Sequence, residues 1–335
     1  MDLTTRYLGL TLKNPLVAGA GPFGRDLDSI RRLEESGAAA IVLPSLFEEQ
    51  VAGEQQAVER MMAASVDAYP EALTYFPAQV TYALGPERYL DLVRRATAAV
   101  DIPIVASLNG MTNNGWVEYA RQLQEAGADA IELNIYFIPS DLSLSGRAVE
   151  ERYLEILRAV RHATSLPIAV KIGPAFSAVG HMAAQLDEAG ANGLVLFNRF
   201  YQPDIDLARL AMVSDLELSR PPEIRLPLLW IGVLAGRVKA SLAASSGVET
   251  ADEVLKYLLA GADVVMTTSA LLRHGLGHMR TLLNGLEDWL SERDLDSLET
   301  IRGRMSHRNL ADPVAFERAN YLRILQGYGT SRERG

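Results

Sequence analysis

Short apolar runs alternate with amphipathic segments along most of the chain. Four segments resemble one another: RLEESGAAAIVLPS, QLQEAGADAIELNI, QLDEAGANGLVLFN and YLLAGADVVMTTS. In each, a helical pattern stops at a glycine and an apolar strand follows within a few residues; the glycines are Gly37, Gly127, Gly190 and Gly261. Glycine favours the left-handed conformation that commonly follows the last turn of a helix. The repeat therefore predicts four helix–strand units.

Four more apolar runs fall between these units: NPLVAGAG, IPIVASLNG, LPIAVKIGP and VKASLAASSG. The eight predicted strands lie near residues 15–20, 40–45, 103–108, 129–134, 167–172, 193–198, 238–244 and 263–267. Amphipathic helices connect them. Eight buried strands alternating with helices predict an α/β fold, a (β/α)8 TIM barrel, as a single domain over residues 1–335. A doubly wound open sheet is the alternative, but it usually has fewer strands and a glycine-rich first turn.

Two connections are much longer than the others. Residues 46–102 follow the second predicted strand and residues 199–237 follow the sixth. In a barrel both would extend the carboxyl-terminal face, as a packed subdomain or as a lid over the mouth, and long loops favour the lid. Residues 1–14 are expected to form a hairpin that closes the bottom, and the tail, residues 277–335, is expected to be helical.

Small and hydroxyl-bearing residues follow the last two predicted strands. Ser246 and Gly247 follow the seventh strand, and Thr268 and Ser269 follow the eighth. Loops at these places in TIM barrels often bind phosphate through backbone N–H groups and a helix N-terminus. Ordinary helix capping by Ser and Thr is the other interpretation. The occurrence of the pattern after both strands favours an anion site.

Three amides and one cation lie at other strand ends. They are Asn109, Asn134, Asn198 and Lys171. They could simply begin loops, but asparagine is uncommon in strands unless it is hydrogen-bonded. Amides with one lysine suit a planar heterocycle, and the lysine suits the N1/O2 edge of a reduced flavin. The small residues that end the first strand, Gly19 and Ala20, leave room for such a ring.

Composition narrows the class of protein. The net charge is −10 and the chain contains no cysteine, which argues against nucleic-acid and membrane partners and against disulfides or thiolate chemistry. No signal peptide or membrane-spanning run is apparent, so a cytoplasmic location is expected. No metal site is predicted, because no histidine pairs with a carboxylate at ligand spacing. Glu132 shares the inward strand face with Asn134 and is expected to pair with a cation such as Lys171.

Taken together, several stretches give the chain a resemblance to the dihydroorotate dehydrogenases of the class 1 type and their relatives. The stretches are YLGLTLKNPLVAGAGP, IPIVASLNG, GADAIELN, LPIAVKI and SSGVETADEVLKYLLAGADVVMTTSALL. The resemblance implies FMN across the top of the barrel. It implies that Gly19 and Ala20 line the flavin and that Ser45 lies near it. It also implies Asn109, Asn134 and Lys171 at the ring edge, Asn198 near ring or substrate, and Gly247, Thr268 and Ser269 near the phosphate.

The chain departs from the family where the substrate would react. The family's Cys or Ser base position reads Phe137 here, or Ile138 if Pro139 is aligned with the family proline. The family lysine after the second strand reads Pro44, and the loop that holds orotate has no clear counterpart in residues 46–102. Among nearby groups that could move protons, the candidates are Tyr136 and Ser140.

The sequence therefore predicts an FMN-dependent oxidoreductase that transfers hydride between a small substrate, such as a dihydropyrimidine, and flavin N5. A soluble electron acceptor or redox partner is expected, and a homodimer is expected by analogy. One alternative is a flavin-binding partner or sensor protein without catalysis. Another is a phosphate-ester isomerase or aldolase on the same barrel, in which Lys171 would be the Schiff-base candidate.

Overall fold

The computed structural model describes residues 1–48, 85–110, 113–136, 138–199, 203–213 and 216–311, together with residues 316, 325 and 326. For residues 113–115 only the backbone is described. Phe137, most of the 46–102 connection and most of the tail beyond residue 311 lie outside these ranges. The strands are β1 (Thr5–Tyr7), β2 (Leu10–Leu12), β3 (Leu16–Ala18), β4 (Ala40–Val42), β5 (Leu46–Phe47), β6 (Ile104–Asn109), β7 (Ala130–Asn134), β8 (Ile168–Ile172), β9 (Gly193–Leu196), β10 (Asp204–Asp206), β11 (Ala211–Val213), β12 (Ser241–Ala244) and β13 (Val264–Thr267).

Eight parallel strands close on themselves in the order β4-β3-β13-β12-β9-β8-β7-β6, and β6 pairs again with β4. Ile41 is opposite Ile104 at the point of closure. The short strand β5 adds to β6 beyond the closed ring. The eight predicted strands correspond to these eight, so the TIM-barrel prediction is confirmed and the open sheet is excluded.

Helices lie between the strands and cover the barrel. They are α1 (Leu27–Glu35), α2 (Pro86–Thr97), α3 (Asn113–Glu125), α4 (Gly146–Ala163), α5 (Val179–Glu188), α6 (Arg225–Leu234), α7 (Ala251–Ala260), α8 (Ser269–His274) and α9 (His278–Ser291). The glycines of the four repeated segments all have positive φ, as predicted; that of Gly261 is 117° and its N–H donates to the carbonyl of Tyr257. None of the helices in the described parts of the chain is long and apolar enough to cross a membrane.

The hairpin of β1 and β2 closes the amino-terminal end of the barrel. Tyr7 and Leu8 at its turn are buried against inward-facing side chains of the strands. The N–H of Leu8 donates to Oγ of Ser241, the first residue of β12, over 3.2 Å. A Cβ on Gly193, the first residue of β9, would lie 2.6 Å from Leu8 Cδ2, so a larger residue there would push the Leu8 side chain aside. The predicted bottom hairpin is confirmed.

The connection over residues 199–237 contains structure of its own. The antiparallel pair β10–β11 stands out from the barrel, a 3-10 turn spans Pro221–Ile224, and α6 packs back against α7 and β12. The prediction placed a long insertion here correctly but gave neither the hairpin nor the helix. Whether this insertion acts as a lid stays a prediction.

Candidate active site

A cleft of about 270 Å³ opens at the carboxyl-terminal ends of β3, β8, β9, β12 and β13. This is the end of a TIM barrel at which active sites are built. Seven of the residues predicted for the site line the cleft: Ala20, Lys171, Asn198, Ser246, Gly247, Thr268 and Ser269. Residues remote in sequence are thus brought together by strand order alone.

Lys171 places a positive charge at the inner wall of the cleft. It lies on β8, and its Nζ is 3.6 Å from Oε1 of Glu132 on the neighbouring strand β7. The Lys171 side chain is 14% exposed, whereas that of Glu132 is 1% exposed. The predicted pairing of the inward-facing glutamate with this lysine is confirmed.

The amides occupy adjacent strand ends on one side of the mouth. Asn109 is opposite Asn134 in the β6–β7 register, and Asn134 is opposite Lys171 in the β7–β8 register. Asn198 donates from Nδ2 to Oδ1 of Asn134 over 2.6 Å. The amides of β7 and of the segment after β9 therefore form one hydrogen-bonded rim beside the lysine.

Gly19, Ser45, Asn109 and Asn134 are not among the residues that line this cleft. Ser45 shares a hydrogen bond of 2.8 Å with the hydroxyl of Ser107, inside the β6 end. A Cβ on Gly19 would lie 2.6 Å from Oγ1 of Thr268, so glycine is required for β3 to approach the β13 end. These residues surround the mouth, and their contact with a ligand stays a prediction.

The two small-residue loops, Ser246–Gly247 after β12 and Thr268–Ser269 after β13, meet at a residue that the sequence interpretation missed. Ser219, from the 199–237 insertion, accepts the N–H of Gly247 over 3.1 Å. Its hydroxyl donates to Oγ of Ser269 over 3.0 Å, and its own N–H donates to the same oxygen over 3.1 Å. Nothing in the stretch LELSRPP marks Ser219 as a site residue, because its role depends on how the insertion folds back.

The loop after β12 has an unusual backbone. Ser246 and Gly247 have φ of 80° and 71°. For serine this region is sparsely populated and costs free energy, and such residues tend to occur at functional sites. A Cβ on Gly247 would lie 2.8 Å from the carbonyl oxygen of Arg220, so the insertion can pack here only against glycine.

Helix α7 itself is capped by its own residues. Thr250 accepts the N–H of Asp252, and Glu253 accepts the N–H of Thr250 over 2.8 Å, which completes a capping box. Ordinary helix capping, the other interpretation of the hydroxyl-bearing residues after the seventh strand, is therefore right for the start of α7 at Thr250. A ligand in the cleft would meet the Ser246–Gly247 loop rather than the end of α7.

A cluster of charged residues holds Ser219 in place. Arg273 of α8 donates from Nη2 to the carbonyl oxygens of Leu218 and Ser219 over 3.0 and 2.8 Å. Arg273 and His274 both contact the carboxylate of Glu249. Partial burial acts to raise the pKa of Glu249, but the hydrogen bond from His274 and the charge of Arg273 outweigh it and lower that pKa. Glu249, Arg273 and His274 are called the clamp below.

The predicted proton-transfer groups lie away from the cleft. Tyr136 is half-buried, and its N–H donates to the carbonyl of Asn134 over 3.0 Å. Ser140 is exposed, and its N–H donates to the carbonyl of Ile138 over 2.8 Å. Neither lines the cleft. Seven of the predicted cofactor residues therefore line the cleft, whereas neither of these two does.

The fold is thus a closed (β/α)8 barrel with a polar cleft and small-residue loops after its last two strands, the place where many such barrels bind phosphate. A family model described as dihydroorotate dehydrogenase matches residues 2–290. The chain belongs to the dihydroorotate dehydrogenase family.

Three relatives illustrate the similarity. The catalytic subunit of dihydroorotate dehydrogenase B (NAD(+)) from Halalkalibacterium halodurans is 27% identical over 80% of this chain and 87% of its own length. That of Pyrococcus abyssi is 24% identical over 90% of this chain and 98% of its own. The NAD-dependent dihydropyrimidine dehydrogenase subunit PreA of Escherichia coli is 25% identical over 65% of this chain and 56% of its own. All three are named as dehydrogenases or subunits of one, so the similarity supports an oxidoreductase.

Proposed function

We propose that this protein is an FMN-dependent oxidoreductase that acts on a small reduced heterocycle of the dihydropyrimidine class. The observation that carries the proposal is the convergence of Lys171, Asn198 and the two small-residue loops in one cleft. A flavin needs a cationic or hydrogen-bonding edge for its ring and an oxyanion site for its phosphate. In the cleft, Lys171 and Asn198 lie at the ends of β8 and β9 and could serve the ring, whereas the small-residue loops after β12 and β13 could serve the phosphate.

The donor set fits the phosphate. The N–H of Gly247 donates to Oγ of Ser219, and the hydroxyl and N–H of Ser219 both donate to Oγ of Ser269. Two donors thus already converge on one oxygen here, and donors arranged in this way can also serve an oxygen of a phosphate. The residues proposed to hold the phosphate are Ser246, Gly247, Thr268 and Ser269, with Ser219 beside them.

The ring is proposed to lie against the other side of the mouth. Asn109 and Asn134 would bond its edge with Lys171 near N1 and O2, Asn198 would lie near ring or substrate, and Gly19, Ala20 and Ser45 would lie nearby. Bound FMN would supply hydride transfer at N5. The charge of Lys171 would stabilise negative charge on the reduced ring, and the Asn198–Asn134 hydrogen bond would fix the amides that orient it.

The substrate class is supported by the relatives, whose names refer to dihydroorotate and to dihydropyrimidine. Two of them are named as catalytic subunits, which supports a proposed redox partner protein or other soluble electron acceptor. A homodimer is proposed by analogy. Tyr136 and Ser140 are retained as proposed proton-transfer groups, each of which would need activation by a neighbour.

The test begins with the absorbance of the purified protein. The yellow spectrum of oxidised flavin is expected, and a colourless protein that does not take up added FMN would contradict the proposal and favour the isomerase or aldolase. The flavin is then mixed without oxygen with dihydroorotate, dihydrouracil and dihydrothymine. Bleaching by at least one of them is expected.

A second candidate is a flavin-binding partner or sensor protein without catalysis. The observation that favours it is the position of Ser140, which is exposed and does not line the cleft. This candidate predicts bound flavin that no pyrimidine bleaches, while dithionite still reduces it.

A further inference from the structure

A buried carboxylate lies inside the barrel, below the proposed flavin. Glu132 is on β7, two residues before Asn134, and it shares the inward face of that strand. Its side chain is 1% exposed, and Oε1 has no hydrogen-bond partner. Nζ of Lys171 lies 3.6 Å from this oxygen.

Besides Lys171, two uncharged polar side chains lie in this region of the barrel. The hydroxyl of Tyr7, from the bottom hairpin, is also buried without a hydrogen bond. Burial raises the pKa of Tyr7 well above its ordinary value, and the negative charge of Glu132 raises it further, so this phenol stays neutral. Ser107 is opposite Glu132 in the β6–β7 register, and its hydroxyl is bonded to Ser45.

Packing does not account for this carboxylate. Removing an ionised group from water costs several kcal/mol, and a single partner beyond hydrogen-bond distance recovers only part of that cost. Buried polar atoms without partners are rare and call for an explanation. An apolar residue at position 132 would pack equally well against the neighbouring strands, as Ala130 does one layer below.

We propose that Glu132 is a positioning residue that sets the reduction potential of the bound flavin by partly neutralising the charge of Lys171. The inference rests on the proposed function, because it requires FMN above Lys171. Lys171 alone would favour the reduced, negatively charged ring. A carboxylate 3.6 Å behind it lowers the net positive charge at that edge and makes the flavin harder to reduce.

The sign of the effect follows from this arrangement. Removal of the Glu132 charge leaves Lys171 uncompensated, so reduced FMN should bind more tightly relative to oxidised FMN. The midpoint potential should then rise, since its shift is proportional to the logarithm of the change in the ratio of the two affinities. We expect at least a tenfold change in this ratio, which is about 30 mV for a two-electron couple.

The experiment is a redox titration of the FMN-loaded protein, native and with Glu132→Gln. A rise in midpoint potential of about 30 mV or more supports the inference, and an unchanged or lower potential overturns it. Glu132→Met removes the same charge without a buried polar group, so it is the replacement if the glutamine variant does not fold. The same rise is expected for it.

The matched control is Tyr7→Phe, which removes the other unpartnered polar atom of this region but no charge. Its potential should equal that of the native protein. A purely structural role for Glu132 would lower the melting temperature and leave the potential unchanged. A protein that binds no flavin at all would contradict the proposed function instead, so the two failures are distinguishable.

Discussion

The mouth of the barrel has two sides that differ in how they are built. On the β12–β13 side, Gly247, Ser219 and Ser269 are joined by hydrogen bonds, and the clamp holds the insertion onto them. On the β7 side, Ile138 is 54% exposed and Leu142 is fully exposed.

The difference separates the proposed phosphate site from the position at which the resemblance places a base. The side proposed to hold the phosphate is packed and hydrogen-bonded. At the base position on the β7 side the sequence reads Phe137, or Ile138 if Pro139 is aligned with the family proline. If FMN binds as proposed, this combination fits a dehydrogenase that acts on a different substrate.

The largest effect is expected from Lys171→Met. The change leaves Glu132 buried without a cation, which should lower the free energy of unfolding by about 3 to 5 kcal/mol. Chemical denaturation measures this. The double variant with Glu132→Met should recover most of the loss, and equal instability of the single and double variants would contradict the ion pair.

The next largest effect is expected from Gly247→Val, which tests how tightly the β12–β13 side is packed. Valine would meet the Arg220 carbonyl in a backbone region that it disfavours, so a loss of about 1 to 3 kcal/mol is expected. FMN binding should also weaken strongly, measured by fluorescence titration. Gly277→Ala is the control, because a Cβ there meets nothing within 4 Å.

Arg273→Ala should have a smaller effect on the same side. It removes two hydrogen bonds to the carbonyls of Leu218 and Ser219, so FMN affinity should fall about tenfold. The control is Arg293→Ala, which breaks an exposed pair with Glu292. Equal affinities of the two variants would mean that the clamp does not position Ser219 for the ligand.

The clamp should also depend on pH. The pKa of Glu249 is lower in the folded protein than its ordinary value of 4.5. Its contribution to stability is therefore present above the unfolded value and lost as the pH falls through the folded one. The difference in unfolding free energy between the native protein and Glu249→Gln should be constant near neutral pH and shrink below about 4.5. A difference that grows as the pH falls would mean that folding raises the pKa of Glu249, which would contradict the prediction.

The smallest effect is expected on the β7 side, from Ser140→Ala. Because Ser140 is exposed and outside the cleft, flavin binding should stay within about twofold of the native value. Tyr136→Phe should likewise leave flavin binding unchanged. Slower reduction of the flavin by substrate in either variant would support its proposed proton-transfer role, and unchanged reduction in both would contradict it.

The barrel could be predicted from the sequence because local signals mark each strand. Glycines such as Gly261 end the helices and prolines begin several strands, so the eight strands were placed within a few residues. The hairpin β10–β11 was missed because its three-residue strands, such as Asp204–Asp206, carry no clear alternation.

The site was predictable only where it depends on strand ends. Lys171, Asn198, Gly247 and Ser269 follow from strand order, since the carboxyl ends of parallel strands meet at one face. Ser219 was missed because it reaches the cleft through the fold of an insertion.

The closed bottom of the barrel has a consequence for turnover. Tyr7 and Leu8 fill the amino-terminal end, so ligands have to reach the proposed ring from the opposite end. If the electron donor and the electron acceptor both use that entrance, the first product has to leave before the acceptor can enter. Steady-state kinetics should then give parallel lines in double-reciprocal plots, the pattern of a ping-pong enzyme.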